Sequence, residues 1–390
     1  MNKTALYILA IALFSACDKS ISNQPPATSS NTNDGGTYTT LINFNETNGA
    51  TPNGSLIVYN NMLYGMVSSG GKYGDGLIFS VSTDGTVFND LHDFSGTTTD
   101  GNQPYADLTL VGSTLFGTTR LGGTNNNGTI FSMNANGAAF NLLHSFGTGT
   151  DGYFPQSNLA FNGTSLIGTT TSGGSQGGGT IYSISTAGTN YNSFYSFNST
   201  QSYSPFAGVT LAANDTAIYG TAKMGGGVMN VGVVYTVWVD GSHYKNLVVF
   251  NTTNGASPMG SLLLAGNTLY GMTNAGGANS LGNVFSVDTN GSAFKDILDF
   301  GGSNGASPYG ALILNGTKLY GTTYQGGNYL EGNIFTISIY GTNYVDLFDM
   351  GSGSFGTYPM GSLLIYNNLL YGMTTSGGTG AYGTIFSCSL

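Results

Sequence analysis

The chain has 390 residues and a net charge of −10, with 7% charged residues against 40% hydrophobic ones. This balance excludes an intrinsically disordered chain, which pairs low hydrophobicity with high charge. With 8 Lys and Arg in no basic run, it also excludes nucleic acid as a partner, because binding there needs clustered cations.

Residues 1–16 read as a secretion signal. Lys3 supplies the positive start, and Ala5–Phe14 is an apolar run too short to span a bilayer. Phe14-Ser15-Ala16-Cys17 resembles a lipobox, the site cut before a diacylated cysteine, although Phe14 stands where Leu, Val or Ile is usual. Cys17 is therefore the expected lipidation site, the alternative being an ordinary cleaved signal with an incidental cysteine. Asp18–Gly36 is rich in Ser, Thr, Asn and Pro without periodicity, so residues 17–36 read as a lipidated cysteine and a flexible tether.

From residue 37 to residue 390 the chain repeats. Prolines stand at 52, 104, 155, 205, 258, 308 and 359, in steps of 50 to 53 residues. Leu63-Tyr64-Gly65 returns in variants ending at Gly117, Gly168, Gly220, Gly271, Gly321 and Gly372. A glycine pair follows each time, beginning at Gly70, Gly122, Gly173, Gly225, Gly276, Gly326 and Gly377. A period of this size signals a solenoid, a propeller or an array.

In the fifth copy the spacing predicts strands over Ser261–Ala265, Thr268–Thr273, Asn283–Asp288 and Ala293–Phe300. Turns at Gly266-Asn267, Gly276-Gly277 and Asn290-Gly291 separate them. Four strands per copy and seven copies predict an all-β, seven-bladed β-propeller in one domain, 37–390. The last copy stops after its third strand, at Ile385–Leu390. The missing strand is found at the other end, where Tyr38, Leu41 and Phe44 repeat the spacing of Phe88, Leu91 and Phe94. Residues 37–44 are thus expected to complete the last blade and close the ring. Cys388 aligns with Val81, Met133, Ile184, Val237, Val287 and Ile337, which marks it as a small buried core residue.

The layout resembles the kelch plan, without its tyrosine-tryptophan signature; Trp238 is the only tryptophan. It is more similar to the bacterial GloVer (Gloeo/Verruco) tandem repeat, in LYGMTNAGG…GNVFSVDTNG and in LYGTTYQGG…GNIFTIS. That resemblance covers nearly all of residues 37–390. It implies an extracytoplasmic, surface-anchored bacterial protein and brings no known activity or catalytic residues.

A search of the residues for chemistry gives no catalytic constellation, no metal set and no cofactor motif. His92 and His144 share one repeat position with Ile42, Tyr195, Val248, Leu298 and Phe348, which favours packing over metal ligation. His243 starts a different fourth strand. Asp84 and Asp240 alternate with Asn, Ala and Tyr in a hairpin turn. Asp100 and Asp151 alternate with Asn48, Asn254 and Asn304 before the proline. Both patterns favour turn residues over a calcium cage.

Positions shared by all copies hold the fold, and positions that differ are free to carry function. One differing set precedes Gly-Gly: Ser68, Arg120, Thr171, Lys223, Asn274, Tyr324 and Thr375. A second follows the proline: Asn53, Tyr105, Gln156, Phe206, Met259, Tyr309 and Met360. In a four-stranded meander both loops lie on one face of the disc, around the channel mouth. Tyr105, Arg120, Lys223, Asn274, Tyr309 and Tyr324 are the candidate ligand-binding residues; the alternative is unconstrained surface.

The expectation is a lipid-anchored protein of the bacterial cell envelope, extracytoplasmic and held at a membrane. Its propeller would act as a non-catalytic binding module for a glycan or an envelope protein. The alternatives are a polysaccharide lyase or hydrolase on a propeller and a purely structural surface protein. Metabolic labelling with a fatty-acid probe should mark the wild-type chain and not Cys17→Ser; equal labelling of both would contradict the lipid anchor.

Overall fold

The computed structural model describes residues 37–147, 149–351 and 355–390. The signal segment, Cys17 and the tether lie outside the described residues. Within them the regular structure is entirely β, in seven four-stranded antiparallel sheets with small ladders between loops. These are the seven blades of the expected propeller, and blade 1 begins after Pro52.

Blade 5 shows the plan. Its strands are Leu263–Ala265, Thr268–Thr273, Asn283–Asp288 and Lys295–Asp299. The middle two match expectation, whereas the first and fourth are shorter. Ala293 takes a φ of 53°, outside the extended region, and delays the fourth strand. The Phe300 N–H leaves the ladder for the Gly282 carbonyl at 3.0 Å. A β-bulge interrupts the pairing of the third and fourth strands in every blade.

The ring closes as the sequence predicts. Tyr38–Asn43 pairs antiparallel with Thr384–Ser389, placing Tyr38 opposite Cys388 and Asn43 opposite Thr384. The closing strand is one residue shorter at each end than expected, because the Phe44 N–H turns to the Gly383 carbonyl at 3.0 Å.

Aromatic rings lock blade to blade. The third strand of each blade carries one: Phe79, Phe131, Tyr182, Tyr235, Phe285, Phe335 or Phe386, all fully buried. The glycine of the Leu-Tyr-Gly motif makes room for it, since a Cβ on Gly65 would fall 2.6 Å from the Phe79 ring. In its own blade, that ring stacks on the aromatic that leads into the fourth strand, as Phe131 does on Phe140 at 5.4 Å and 24°. The closing phenylalanine of the preceding blade meets it edge-on, as Phe94 meets Phe131 at 5.4 Å and 62°. Such pairs contribute about 0.5–1.5 kcal/mol each beyond the area they bury. In the last blade the stacking ring is Tyr38, which lies 5.1 Å from Phe386 and 4.1 Å from Phe348. Met350 stands there in place of the closing phenylalanine. Cys388 is fully buried in the same cluster, and burial pushes its thiol up to about 12.

Around the axis the inner strands begin in near backbone contact. The second residue after each proline is Gly54, Ala106, Ser157, Ala207, Gly260, Gly310 or Gly361. A Cβ on Gly310 would fall 2.7 Å from the Gly361 carbonyl oxygen, and one on Gly361 would overlap the Gly54 carbonyl. Strand-two threonines tie several of these carbonyls across the blade boundary: Thr169 donates to Ala207 O at 3.1 Å and Thr118 to Ser157 O at 3.2 Å.

Deleting residues 37–44 should lower the melting temperature far more than deleting residues 18–34. The first deletion removes a ladder strand with Tyr38, Leu41 and Phe44, at roughly 1.5–3 kcal/mol for each such side chain fully buried. Equal melting temperatures would contradict closure by this strand.

Candidate functional site: the mouth of the axial channel

One backbone device fixes the mouth in all seven blades. The residue before each proline has a left-handed φ: Thr51 55°, Gln103 54°, Phe154 61°, Ser204 57°, Ser257 51°, Ser307 52° and Tyr358 60°. None is glycine, so each costs conformational energy that the surroundings must offset. Two hydrogen bonds hold it. Its N–H donates to the preceding blade, as Gln103 does to Asp75 O at 3.0 Å and Tyr358 to Glu331 O at 2.8 Å. Its carbonyl accepts the N–H of the residue two before Gly-Gly, as Gln103 does from Arg120 at 3.0 Å and Ser204 from Lys223 at 3.2 Å. The loop before the proline also pairs with the segment after strand two in every blade, for example Ala50 with Ser69 and Gly101 with Gly122. The two differing sets therefore share one face.

Several of their side chains meet pairwise. Asn53 donates to Ser68 Oγ at 2.7 Å. The Arg120 guanidinium donates to Gln103 Oε1 at 3.1 Å and lies 5.4 Å from the Phe154 ring and 6.0 Å from the Tyr105 ring. Tyr309 packs against Tyr324 at 5.1 Å, and Tyr324 against Tyr358 at 5.1 Å. Asn274 commits its amide to the scaffold, donating to Pro308 O at 3.3 Å. Lys223 is half-buried in blade 4, and among the described residues no contact joins it to the Arg120 cluster. Gln103, Phe154 and Tyr358 belong to a third differing ring that sequence reasoning missed. Its signal was present: the residue immediately before each proline reads Thr, Gln, Phe, Ser, Ser, Ser, Tyr.

The mouth opens into the axial channel, lined by the three residues that follow each of the seven prolines, the first of each three belonging to the mouth itself. It encloses ≈ 70 Å³. The space is open to solvent and has room for several waters.

The histidines and their neighbouring aspartates lie elsewhere and are more than packing and turn residues. His92 Nε2 is 3.1 Å from Asp100 Oδ1 and stacks on Phe140 of the next blade at 3.8 Å. His144 is likewise 3.1 Å from Asp151 and 3.9 Å from the Tyr191 ring. Asp100 also accepts from the Ser95 N–H at 3.0 Å. Asn254 does the same turn job in blade 5, accepting from the Asn251 N–H at 2.8 Å. The turn role holds, and each of the two aspartates adds a hydrogen bond to a histidine. Burial pushes Asp100 up, but His92 and the Gly101 and Ser95 donors outweigh it and leave the carboxyl below its usual range. His243 stacks on Trp238 at 3.7 Å, in the hairpin turn between strands three and four. Asp84 sits in the corresponding turn of blade 1, where Ser82 and Thr86 hold its carboxyl down to about 2. Among the described residues no three His, Cys, Asp or Glu side chains are placed to hold a metal ion.

Residues 12–230 and again 209–390 match the model of the Gloeobacter/Verrucomicrobia repeat family. The chain belongs to this family. No curated protein matches it by sequence. Among solved structures it is similar to an oligogalacturonate lyase from Vibrio parahaemolyticus, at 7% identity and a TM-score of 0.60, over 90% of this chain and 93% of the other. It is similar to an oligogalacturonate lyase in complex with manganese, at 10% identity and a TM-score of 0.59, over 90% and 93% of the two chains. A puromycin-hydrolysing peptidase from Mycobacterium tuberculosis matches at 10% identity and a TM-score of 0.55, over 87% of this chain and 52% of the peptidase. At such identities the likeness shows the propeller fold alone.

Three copies of this Gloeobacter/Verrucomicrobia repeat carry paired carboxylates on the fourth strand: Asp90 with Asp93, Asp296 with Asp299, and Asp346 with Asp349. The bulge brings residues three apart together. One member of each pair serves a loop, as Asp299 accepts the Ala278 N–H at 2.8 Å. The other is pushed up. Asp346 reaches about 7, chiefly through burial, with the Asn333 amide opposing and Asp349 adding to the rise. Asp90 reaches about 6, again chiefly through burial and then through Asp93.

A folded-state pKa above the unfolded value, about 3.9 for Asp, gives stability that is complete below that value and is lost as pH rises through the folded one. The melting temperature should therefore fall as pH rises from about pH 4 to about pH 7. Asp346→Asn, which mimics the protonated member, should flatten that fall. Parallel profiles for the two proteins would contradict the raised carboxyl of Asp346.

Proposed function

We propose that this protein is an extracytoplasmic lipoprotein of the bacterial envelope, held to a membrane through Cys17, whose propeller binds a glycan at the channel mouth without turning it over. One observation carries the binding reading: Arg120 is held between Phe154 and Tyr105 by Gln103, while Tyr309, Tyr324 and Tyr358 form an aromatic cluster on the same face. Tyrosine offers an apolar ring with a polar tip, suited to stacking on sugars. Arginine offers a rigid fork of donors for their oxygens.

The loops that carry the mouth are preformed, because backbone hydrogen bonds fix the residue before each proline and the residue two before each Gly-Gly, so little ordering cost falls on binding. The non-catalytic reading rests on the residue types there, Arg, Lys, Gln, Asn and Tyr. Glycoside hydrolysis needs paired carboxylates.

A glycan array followed by calorimetry on residues 37–390 should give saturable binding without turnover. Arg120→Ala combined with Tyr309→Ala should weaken it by about tenfold or more at unchanged melting temperature. Binding that survives both changes, or that is lost only with Asp84→Ala at the hairpin turns, would contradict this site. Turnover of a polysaccharide would establish an enzyme. Binding to an envelope protein alone would replace the glycan, and absence of any binding would leave a structural role.

A further inference from the structure

At each blade boundary three differing positions of the mouth converge: the residue after the proline, the residue two before Gly-Gly and the residue before the next blade's proline. Only blades 2 and 6 place an aromatic ring or a guanidinium at all three, as Tyr105, Arg120 and Phe154 and as Tyr309, Tyr324 and Tyr358. Both trios are half-buried and in contact. Arg120 lies 6.0 Å from the Tyr105 ring and 5.4 Å from the Phe154 ring, and Tyr324 lies 5.1 Å from both of its tyrosine neighbours. Three blades separate the trios one way round the ring and four the other, the widest separation that seven blades allow.

The residue two before Gly-Gly distinguishes these trios from the other boundaries. In blades 1, 3, 5 and 7 its side chain donates to a backbone carbonyl: Ser68 to Thr51 at 2.9 Å, Thr171 to Phe154 at 3.1 Å, Asn274 to Pro308 at 3.3 Å and Thr375 to Tyr358 at 2.9 Å. Arg120 and Tyr324 spend nothing on the scaffold backbone in this way. Among the described residues the hydroxyls of Tyr105, Tyr309, Tyr324 and Tyr358 make no hydrogen bond. Arginine carries five N–H donors, and Arg120 gives one of them to Gln103 Oε1 at 3.1 Å. No described carboxylate stands within ion-pair distance of it. A guanidinium with open donors, held flat among rings, is matched by a planar anionic acceptor that takes two N–H groups at once, a carboxylate.

We propose that the ligand of the mouth is an acidic glycan, a chain whose sugars carry carboxylate groups. One such sugar pairs with Arg120, flanked by Tyr105 and Phe154. A second sugar of the same chain stacks in the tyrosine trio across the axis. This rests on the reading of the mouth as a glycan site and names the class of glycan. The second contact is intramolecular, so affinity grows with chain length until one chain reaches both trios. The protein's net charge of −10 opposes this weakly, because at physiological salt exposed charges are screened beyond about 8 Å. Arg120 is not among the channel-lining residues, so the acid group it takes lies outside the channel that Asp107 lines.

The test uses the full-length protein and an array of uronate oligosaccharides of several lengths. Each stands beside the same chain with its carboxylates reduced to alcohols, and calorimetry follows in low and high sodium chloride. The acid form should bind about tenfold or more tighter than its reduced counterpart. That preference should shrink with salt and vanish in Arg120→Gln. Arg120→Lys keeps the charge and loses the fork, so it should retain part of the preference; it keeps the test valid if the glutamine variant disturbs folding. Affinity should rise with chain length in the wild type, and Tyr324→Ala should abolish that rise. Equal binding of acid and reduced chains would overturn the proposal and leave the mouth a site for neutral glycans. A preference that persists in Arg120→Gln, or an affinity independent of length, would also overturn it. Binding of no glycan at all would overturn both the proposal and the reading of the mouth beneath it.

Discussion

Seven inner strands can begin side by side around one axis only if almost nothing stands between their backbones. The rest of the structure follows from that constraint. It requires small residues after the proline, such as Gly54, Gly310 and Gly361, where a Cβ would run into the neighbouring backbone. It leaves an axial channel lined by the three residues after each proline. It also sets the spacing at which closing phenylalanines reach the third-strand rings of the next blade, so that inner contact and outer aromatic packing support each other. Because the contact is made between backbones, it tolerates wide variation in the side chains just outside it.

That tolerance explains why the mouth can differ from blade to blade on a regular frame. The residue before the proline and the residue two before Gly-Gly are joined by one backbone bond repeated seven times, and the residue after the proline follows directly on the first. Their side chains are as unlike as Arg120, Thr171, Asn274 and Tyr324. Blades 2 and 3 build a cation held among aromatic rings, and blades 6 and 7 build a tyrosine cluster. A site of this kind needs no change in the scaffold to acquire or lose a ligand.

Much of this was legible in the sequence. The prolines and glycine pairs gave the blade count, and the middle strands of blade 5 fall where the turn residues place them. Tyr38, Leu41 and Phe44 identified the closing strand because the seventh copy lacks a fourth strand of its own. Other features were hidden for physical reasons. The left-handed residues before the prolines are ordinary Thr, Gln, Phe, Ser and Tyr; neighbouring blades impose that conformation, and composition does not signal it. The His92–Asp100 and His144–Asp151 pairs form only when the chain reverses between blades. The meaning of Gly54 emerges only when seven copies converge, because it is not distinctive within a single repeat.

The backbone contact at the axis is most exposed to test at the seam between the last blade and the first. Gly361 has no left-handed φ, so alanine there is opposed by space alone, through the Gly54 carbonyl. The decisive measurement is the unfolding free energy of Gly361→Ala beside Ala207→Gly, which opens the same position in blade 4. The account predicts that Gly361→Ala loses about 1–3 kcal/mol, the usual cost of overpacking. It predicts that Ala207→Gly loses less, about 0.5–1 kcal/mol, from added chain freedom. An unchanged stability for Gly361→Ala would show that the inner strands do not meet as tightly as described, and the central constraint would fall.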